Sequence, residues 1–499
     1  MSIPLRSKQG CWTCRLRKKK CDERHPHCGT CESLSITCFG YGPKPDWMKK
    51  SDEARAVADS IKETDTSLAD TEPRMEGSLS SIPADNSTLL MHFLDNVFPL
   101  QYPMYRPDIT KGGRGWLLNL LLGSKPFYHA ALALSVYHRR TAVPASNKHQ
   151  VATLVQQEQH LEISLNAMNF AMQNSCGVDA RGLGVATAVV QLMLFELFTG
   201  DKNACLAHLN AAIGMTRQAF QQNNYERLGL AESTRVILHQ DLPVPENEPA
   251  TAEQVVNFRF LTGTTMWLDI ISSITAGTAP QLLPYYSSII APASHTKLEG
   301  IMGCKNWAML EIGRIAALHE QCVQAIGRGD FNCNEFQKIG CDITLNIEDG
   351  LAGIALEGFS VSDPESTQAL NTMPNEHTLI THIFALMASI YLHLAIRGFQ
   401  ELEALDGNIA KGMSMLQAQG TRQLLPALVA PLYIFGVVAR TEDKTFLREV
   451  LSCPPLLDAS LKHRRAILPA LEETWRQRER GSGMAWKDCL ELARDVFLL

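Results

Sequence analysis

Residues 11–38 read CWTCRLRKKKCDERHPHCGTCESLSITC and carry six cysteines in a repeated pattern. A C-x2-C pair, six residues and a single cysteine are followed, after six more residues, by the same arrangement. A C-x2-C pair lets two thiolates reach one metal ion from a single turn of chain. Tetrahedral zinc with Zn–S bonds of about 2.3 Å holds its sulfur atoms about 3.7 Å apart. The pattern therefore predicts a zinc site whose ligands are Cys11, Cys14, Cys21, Cys28, Cys31 and Cys38.

Six thiolates are too few for two separate four-coordinate zinc sites, which need eight ligands. Six are sufficient if two sulfur atoms each bridge both metal ions. The repeat makes Cys11 and Cys28, the first cysteine of each half, the symmetric candidates for bridging. The simplest arrangement is a binuclear cluster of two Zn2+ ions and six cysteines.

The first six-residue interval is strongly basic, with only Leu16 interrupting the cations. Two Zn2+ ions and six thiolates have a net charge of −2, and the basic run outweighs it. A short helix that starts near Cys14 would direct these side chains outward, some toward phosphate oxygens and one or two toward base edges in a major groove. The basic residues are Arg15, Arg17, Lys18, Lys19 and Lys20.

The whole stretch resembles the DNA-binding domain of the fungal Zn2Cys6 (zinc binuclear cluster) transcription factors. Every cysteine spacing matches, as do the basic first interval, the sequence Cys21-Asp22-Glu23 and a proline, Pro26, in the second interval. The resemblance implies double-stranded DNA as the partner, read at CGG-type triplets and often by dimers on paired half-sites. It also implies a nuclear regulator of RNA polymerase II transcription.

Carried to this sequence residue by residue, the resemblance implies bridging by Cys11 and Cys28. It implies base contacts centred on Lys18 with Arg17. Phosphate contacts are implied for Arg15, Lys19 and Lys20.

Other interpretations of the cysteines were weighed. A disulfide framework is disfavoured because the N-terminus, MSIPLRSKQG, lacks the apolar segment of a signal peptide, and disulfides are rare in reducing compartments. A metal store or redox switch would not need the basic run. His25 and His27 flank Pro26 and are expected to be exposed loop residues rather than ligands. A zinc module that docks another protein remains open as an alternative.

The net charge of −6 is divided unevenly along the 499 residues. Residues 1–50 carry 11 basic and 4 acidic side chains, whereas residues 51–499 carry 35 basic and 48 acidic ones. A basic head on an acidic body is typical of a nucleic-acid binder with a separate non-binding domain. We expect a DNA-binding domain over residues 1–43, a linker over residues 44–85 and a regulatory domain over residues 86–499.

The expected linker is rich in Ser, Asp, Glu and Thr, which is typical of disordered segments. Apolar residues within it recur at alternating three- and four-residue intervals for two heptads, which is short of a stable coiled coil. Both a short dimerising helix and a solvated linker remain open. The residues of this pattern are Ala54, Val57, Ile61, Thr64 and Leu68.

From about residue 86 the apolar residues follow helical spacing, and strand signatures are scarce. The fold class is therefore a small metal-stabilised Zn2Cys6 module with two short helices, followed by a large all-α domain. Within that domain, Val151–Met172 is predicted to be an amphipathic helix, and Pro431 is predicted to kink or end the helix that contains it. The side chains expected to face inward from Val151–Met172 are Leu154, Leu161, Leu165 and Met168.

The segment Leu379–Ile396 has no Asp, Glu, Lys or Arg, close to the lower length limit for a bilayer span. It contains His382 and His393, and no basic cluster flanks it. We interpret it as a buried helix and expect a soluble protein with no membrane partner.

The helical body, too, resembles a known family, the fungal-specific transcription factor domain of the second type. The resemblance rests on FLDNVFPLQYP, GRGWLLNLLLGSKPFYHAALALSVYH, MWLDIISSITAGTAP and MGCKNWAM, and on YGPKPDWM after the cysteines. It implies a pathway-specific regulator of metabolism, including specialised metabolism. These motifs are mainly apolar, so Trp116, Trp267 and Trp307 are interpreted as core residues rather than effector contacts.

No phosphate-binding loop, zinc-protease motif, dinucleotide fingerprint or nucleophile elbow occurs in residues 86–499, and we expect no enzymatic activity. A metabolite-sensing helical domain with an accessory zinc module remains an alternative. A homodimer, and a small-molecule effector or co-regulator for the helical domain, are compatible with the sequence.

Overall fold

The structure is a computed structural model, and it describes residues 9–16, 19–32, 38–42, 84–142, 147–174, 180–222, 252–290, 296–330, 332–360, 375–481 and 484–499. The expected linker and its possible dimerising helix lie outside these residues. Chain contacts divide the protein into two compact units. One comprises Met1–Phe93 with His129–Leu165, and the other comprises Leu94–Tyr128 with Asn166–Leu499.

The described residues form helices and contain no strand, which confirms the predicted fold class. The short helices of the cysteine-rich head are α1 (Trp12–Leu16) and α2 (Gly29–Glu32). The body contains α3 (Ala84–His92), α4 (Phe98–Gln101), α5 (Gly115–Gly123), α6 (Lys125–Ala142), α7 (Asn147–Asn174), α8 (Ala180–Thr199), α9 (Lys202–Gln222), α10 (Ala252–Ala276), α11 (Leu283–Ile289), α12 (Glu299–Met302), α13 (Asn306–Arg328), α14 (Cys333–Ser360), α15 (Glu376–Arg397), α16 (Asp406–Gln417), α17 (Val429–Val438), α18 (Lys444–Ser452), α19 (Ile467–Glu479) and α20 (Trp486–Leu492).

Helix α15 is the central helix of the larger unit. It packs against α13, α14, α16 and α17. A helix that is apolar on all sides must be covered on all sides, and α15 is apolar nearly all round. Its length and mean hydropathy of 1.9 would suit a membrane span, but 67% of its apolar window is buried inside the protein. The interpretation of this segment as a buried core helix is confirmed.

A buried carboxylate fixes the turn after α10. Asp269 is 3% exposed and accepts hydrogen bonds from the main-chain amides of Gln281 (3.0 Å) and Leu282 (2.8 Å) and from the Tyr286 hydroxyl (2.8 Å). Burial raises the pKa of Asp269, and the three donors oppose that effect. The acidic residue of the motif MWLDIISSITAGTAP therefore holds the chain between α10 and α11 in place.

The predicted inward face of α7 is partly wrong. The helix is present, but Leu154 and Leu165 are 38% and 39% exposed, and of the four residues only Met168 is buried. Within residues 129–165, the buried side of α7 is instead polar, with Gln157, His160 and Ser164 at helical spacing. His160 faces His129 of α6 across an Nδ1–Nδ1 distance of 3.0 Å. Periodicity of apolar residues could not detect a helix that buries a polar stripe.

The prediction that Pro431 kinks or ends its helix is also wrong. Pro431 lies in the first turn of α17, which begins at Val429 and continues to Val438. The amides of a first turn have no partner within the helix, so proline removes no hydrogen bond there. The predicted helix over residues 424–438 is broken earlier, by a short 3-10 turn at Leu425–Ala427.

Candidate metal centre and nucleic-acid interface

The six cysteines of the predicted zinc site form one cluster, and none of them is more than 8% exposed. The Sγ atom of Cys11 lies 3.5 Å from that of Cys28 and 3.8 Å from that of Cys31. The sulfur atoms of Cys14 and Cys28 are 3.6 Å apart. These distances agree with the roughly 3.7 Å expected between two ligands of one tetrahedral zinc ion.

The sulfur atoms fall into two groups of four, and two atoms belong to both groups. One group contains Cys11, Cys14, Cys21 and Cys28, and the other contains Cys11, Cys28, Cys31 and Cys38. Within each group all four sulfur atoms lie within 4.8 Å of one another. Each group has the number of ligands and the dimensions of a four-coordinate zinc site, so the donor set suits two metal ions.

The sequence repeat is also a repeat of hydrogen bonds. The Cys14 amide donates to Cys11 Sγ (3.4 Å), and the equivalent Cys31 amide donates to Cys28 Sγ (3.2 Å). The Cys11 amide donates to Cys21 Sγ (3.4 Å), and the equivalent Cys28 amide donates to Cys38 Sγ (3.5 Å). Amide donors stabilise thiolates, which are the form that binds metal. The head is therefore two copies of one thiolate-binding turn.

The thiols of the cluster differ in acidity. Burial raises the pKa of Cys14 to about 11 and also raises the pKa of Cys11. Burial acts in the same direction on Cys21, but hydrogen bonding with Tyr41 and the main-chain amides of Cys11 and Glu23 outweighs it and lowers the pKa of Cys21 to about 7. Buried thiols that resist ionisation as free groups become thiolates when a metal ion replaces their protons.

Polar side chains next to the cysteines close the head into a ring. The Phe39 amide donates to the hydroxyl of buried Thr13 (2.8 Å), and the Trp12 indole donates to the Gly42 carbonyl (2.8 Å). Both bonds join α1 to the segment after Cys38. The sequence interpretation did not assign Thr13 or Trp12 a role, because a single residue between two cysteines carries no periodic signal.

A second connection joins the two halves. The Asp22 carboxylate accepts a hydrogen bond from the Gly29 amide at the start of α2 (2.9 Å) and lies 3.6 Å from the Arg24 guanidinium. The loop between them exposes His25 and His27, as predicted, and neither histidine belongs to a four-sulfur group. The His25 ring packs on Tyr41, with ring centroids 4.1 Å apart.

Three of the five predicted DNA-contacting residues are described, and all three are exposed. Arg15 lies in α1, and its guanidinium sits 4.2 Å from the centroid of the Trp12 ring, an orienting cation–π contact. Lys19 and Lys20 follow α1, with the Lys19 amide bonded to the Cys14 carbonyl (2.9 Å). Helix α1 starts at Trp12, two residues before the predicted start. The predicted base-reading residues, Arg17 and Lys18, lie outside the described residues.

Two family descriptions match this chain. "Fungal Zn(2)-Cys(6) binuclear cluster domain" matches residues 9–48, and "Fungal specific transcription factor domain" matches residues 88–499. The chain belongs to the fungal Zn2Cys6 transcription factors. Both resemblances inferred from the sequence are thereby confirmed.

Relatives of this Zn2Cys6 transcription factor have names that refer to biosynthetic gene clusters. "Pestheic acid cluster transcriptional regulator 3" of Pestalotiopsis fici is 40% identical, with all of both chains aligned. "Transcription factor dibT" of Pestalotiopsis microspora is 23% identical over 96% of each chain, and "ustiloxin B cluster transcription factor ustR" of Aspergillus flavus is 22% identical over 95% of each. No solved structure matches the chain.

Proposed function

We propose that the head binds two Zn2+ ions, one in each four-sulfur group, with Cys11 and Cys28 bridging the metals. Cys14 and Cys21 complete one site, and Cys31 and Cys38 complete the other. The observation that carries this proposal is the sharing of two sulfur atoms by two groups of zinc-site dimensions. Bound zinc supplies the crosslinks that such a small domain needs in place of a large apolar core.

The zinc-held head recognises DNA by sequence at CGG-type sites. Lys18 with Arg17 contacts base edges, and Arg15, Lys19 and Lys20 contact phosphates. This assignment is supported by the exposure of Arg15, Lys19 and Lys20 beside the cluster and by the family to which the chain belongs. Phosphate contacts supply salt-dependent affinity, and base contacts supply discrimination.

The protein acts in the nucleus, without catalytic activity, as a regulator of RNA polymerase II genes of a specialised biosynthetic pathway. The names of the relatives support the pathway class. We assign the DNA-binding domain to residues 1–43, the linker to residues 44–85 and the regulatory domain to residues 86–499. The regulatory domain responds to a small-molecule effector or a co-regulator, and the protein binds paired half-sites as a homodimer.

Selection of bound duplexes from a random DNA library by the zinc-loaded full-length protein tests the proposal. Enrichment of duplexes with CGG-type triplets is expected. A library that stays random after repeated rounds, although the protein holds its zinc, would contradict the proposal and favour a head that docks another protein. The same selection with Cys28→Ser protein is the control, and it should enrich no sequence.

A further inference from the structure

A cavity in the larger unit lies between α5, α8 and α10, and its walls are mostly aromatic and aliphatic. Phe98, Tyr102, Trp116 and Phe260 contribute rings to it. Phe260 is central to this group, because its ring centroid lies 6.0 Å from that of Phe98, 4.8 Å from that of Tyr102 and 4.9 Å from that of Trp116. The cavity is therefore built to receive a flat, apolar body.

Two buried amides in the same lining have unused hydrogen-bonding atoms. Gln191 of α8 is 3% exposed and Asn257 of α10 is 9% exposed. Gln191 Nε2 and Asn257 Oδ1 have no hydrogen-bond partner among the described residues. An unsatisfied polar atom in an apolar interior is unfavourable, so few are retained without a use. One donor and one acceptor in one apolar cavity are the features of a small-molecule site.

The size and charge of the cavity narrow the class of ligand. No charged side chain is among the described residues that line it, so a carboxylate or an ammonium group would be buried without a counter-charge. The unfilled space is about 400 Å³ when the open mouth is counted, but the interior narrows to about 20 Å³, room for roughly one water molecule. A ring-sized ligand therefore enters by moving Phe260, which is only partly buried.

We propose that this cavity binds an uncharged aromatic molecule that carries a carbonyl and a hydroxyl group. The carbonyl accepts a hydrogen bond from Gln191 Nε2, and the hydroxyl donates one to Asn257 Oδ1. The ring lies against Phe260 and Trp116, which the sequence suggested as a core residue only. The proposal rests on the regulatory role proposed for the helical domain and gives its effector a site and a chemical class.

Binding is tested on the zinc-loaded full-length protein without DNA, by ligand-observed NMR and calorimetry. The probes are 4-hydroxyacetophenone, 4-ethylphenol, which lacks the carbonyl, and 4-hydroxybenzoate, which is charged. Saturable binding of 4-hydroxyacetophenone in the millimolar range or tighter is expected for a molecule of this size. 4-Ethylphenol should bind about tenfold more weakly, and 4-hydroxybenzoate should not bind. Failure of 4-hydroxyacetophenone to bind, or equal binding of all three probes, would overturn the proposal.

Variants locate the binding site. Gln191→Leu should abolish the preference for the ketone over 4-ethylphenol, and Asn257→Leu should weaken binding of 4-hydroxyacetophenone about tenfold. Gln101→Leu is the matched control, because Gln101 is also buried with an unpartnered amide but does not line this cavity. Unchanged binding in both cavity variants would overturn the assignment. Because no DNA is present, failure of DNA recognition would not affect these measurements.

Discussion

The sulfur atoms of Cys11 and Cys28 lie 3.5 Å apart, and they are the two atoms that both four-sulfur groups share. Each is the first cysteine of its half, and each receives a hydrogen bond from the amide three residues later. A single substitution at either position therefore removes a ligand from both groups. Substitution of Cys38 removes a ligand from one group only.

This difference predicts the metal content of two variants. Cys28→Ser should lose both zinc ions, because neither site retains its thiolate set. Cys38→Ser should retain one. Native mass spectrometry gives the number of zinc ions per chain, with Cys341→Ser, a change at an exposed cysteine outside the cluster, as the control that keeps two. Retention of one zinc ion by Cys28→Ser would contradict bridging.

The basic residues should separate into two kinds by their effect on DNA binding. A good base contact contributes about 1–3 kcal/mol of discrimination, so Lys18→Ala should weaken binding to the cognate duplex about 5- to 150-fold and binding to scrambled DNA much less. Lys20→Ala should weaken both equally and reduce the slope of log affinity against log salt by about one. Equal losses on both duplexes for Lys18→Ala would rule out base reading by Lys18.

The hydroxyl of Thr13 should be needed for zinc affinity. Thr13→Val keeps the shape of the side chain but leaves the Phe39 amide without its acceptor, at a cost of about 1–3 kcal/mol. Because folding of the head and metal binding are coupled, zinc affinity measured by chelator competition should fall about tenfold or more. Thr13→Ser keeps the hydroxyl and should stay close to the wild-type protein. Equal affinities for the two variants would show that the bond is dispensable.

Two glycines of α16 should respond to alanine in opposite directions. A Cβ at Gly412 would collide with the ring of Phe435, so Gly412→Ala should lower the free energy of unfolding by about 1–3 kcal/mol. Gly407 has no neighbouring atom within 4 Å of such a Cβ, so Gly407→Ala should raise it by about 0.5–1 kcal/mol through helix propensity. Thermal unfolding distinguishes the two, and destabilisation by both would contradict the packing described here.

Stability should decrease in mild acid because of His160. Burial lowers the pKa of His160 to about 4, below the value of about 6.5 for an unfolded chain. Between these values the unfolded chain takes up a proton that the folded protein refuses. The free energy of unfolding therefore falls by about 1.4 kcal/mol per pH unit as the pH drops from about 6.5 to about 4. Urea unfolding at pH 7 and pH 5 should show a smaller difference for His160→Gln. Equal differences would exclude His160 as the cause.

Cysteine spacing and apolar periodicity were sufficient to predict the metal-binding head and the helical body, because both depend on regular intervals in the sequence. The polar stripe of α7 and the place of Pro431 in the first turn of α17 were not predictable in that way. The first depends on a partner across space, His129, and the second depends on where a helix begins. Thr13 was missed for the same reason, since its partner Phe39 lies 26 residues away.

The central claim is that two zinc ions shape a basic turn so that it recognises a DNA sequence. Its most direct test is an anisotropy titration of the zinc-loaded full-length protein against the most enriched selected duplex and a base-scrambled duplex of equal length and salt. Since each mismatched base pair costs about 1–3 kcal/mol, we expect a preference of more than about 100-fold, which is lost when zinc is chelated. Equal affinity for the two duplexes by protein that holds two zinc ions would contradict the claim.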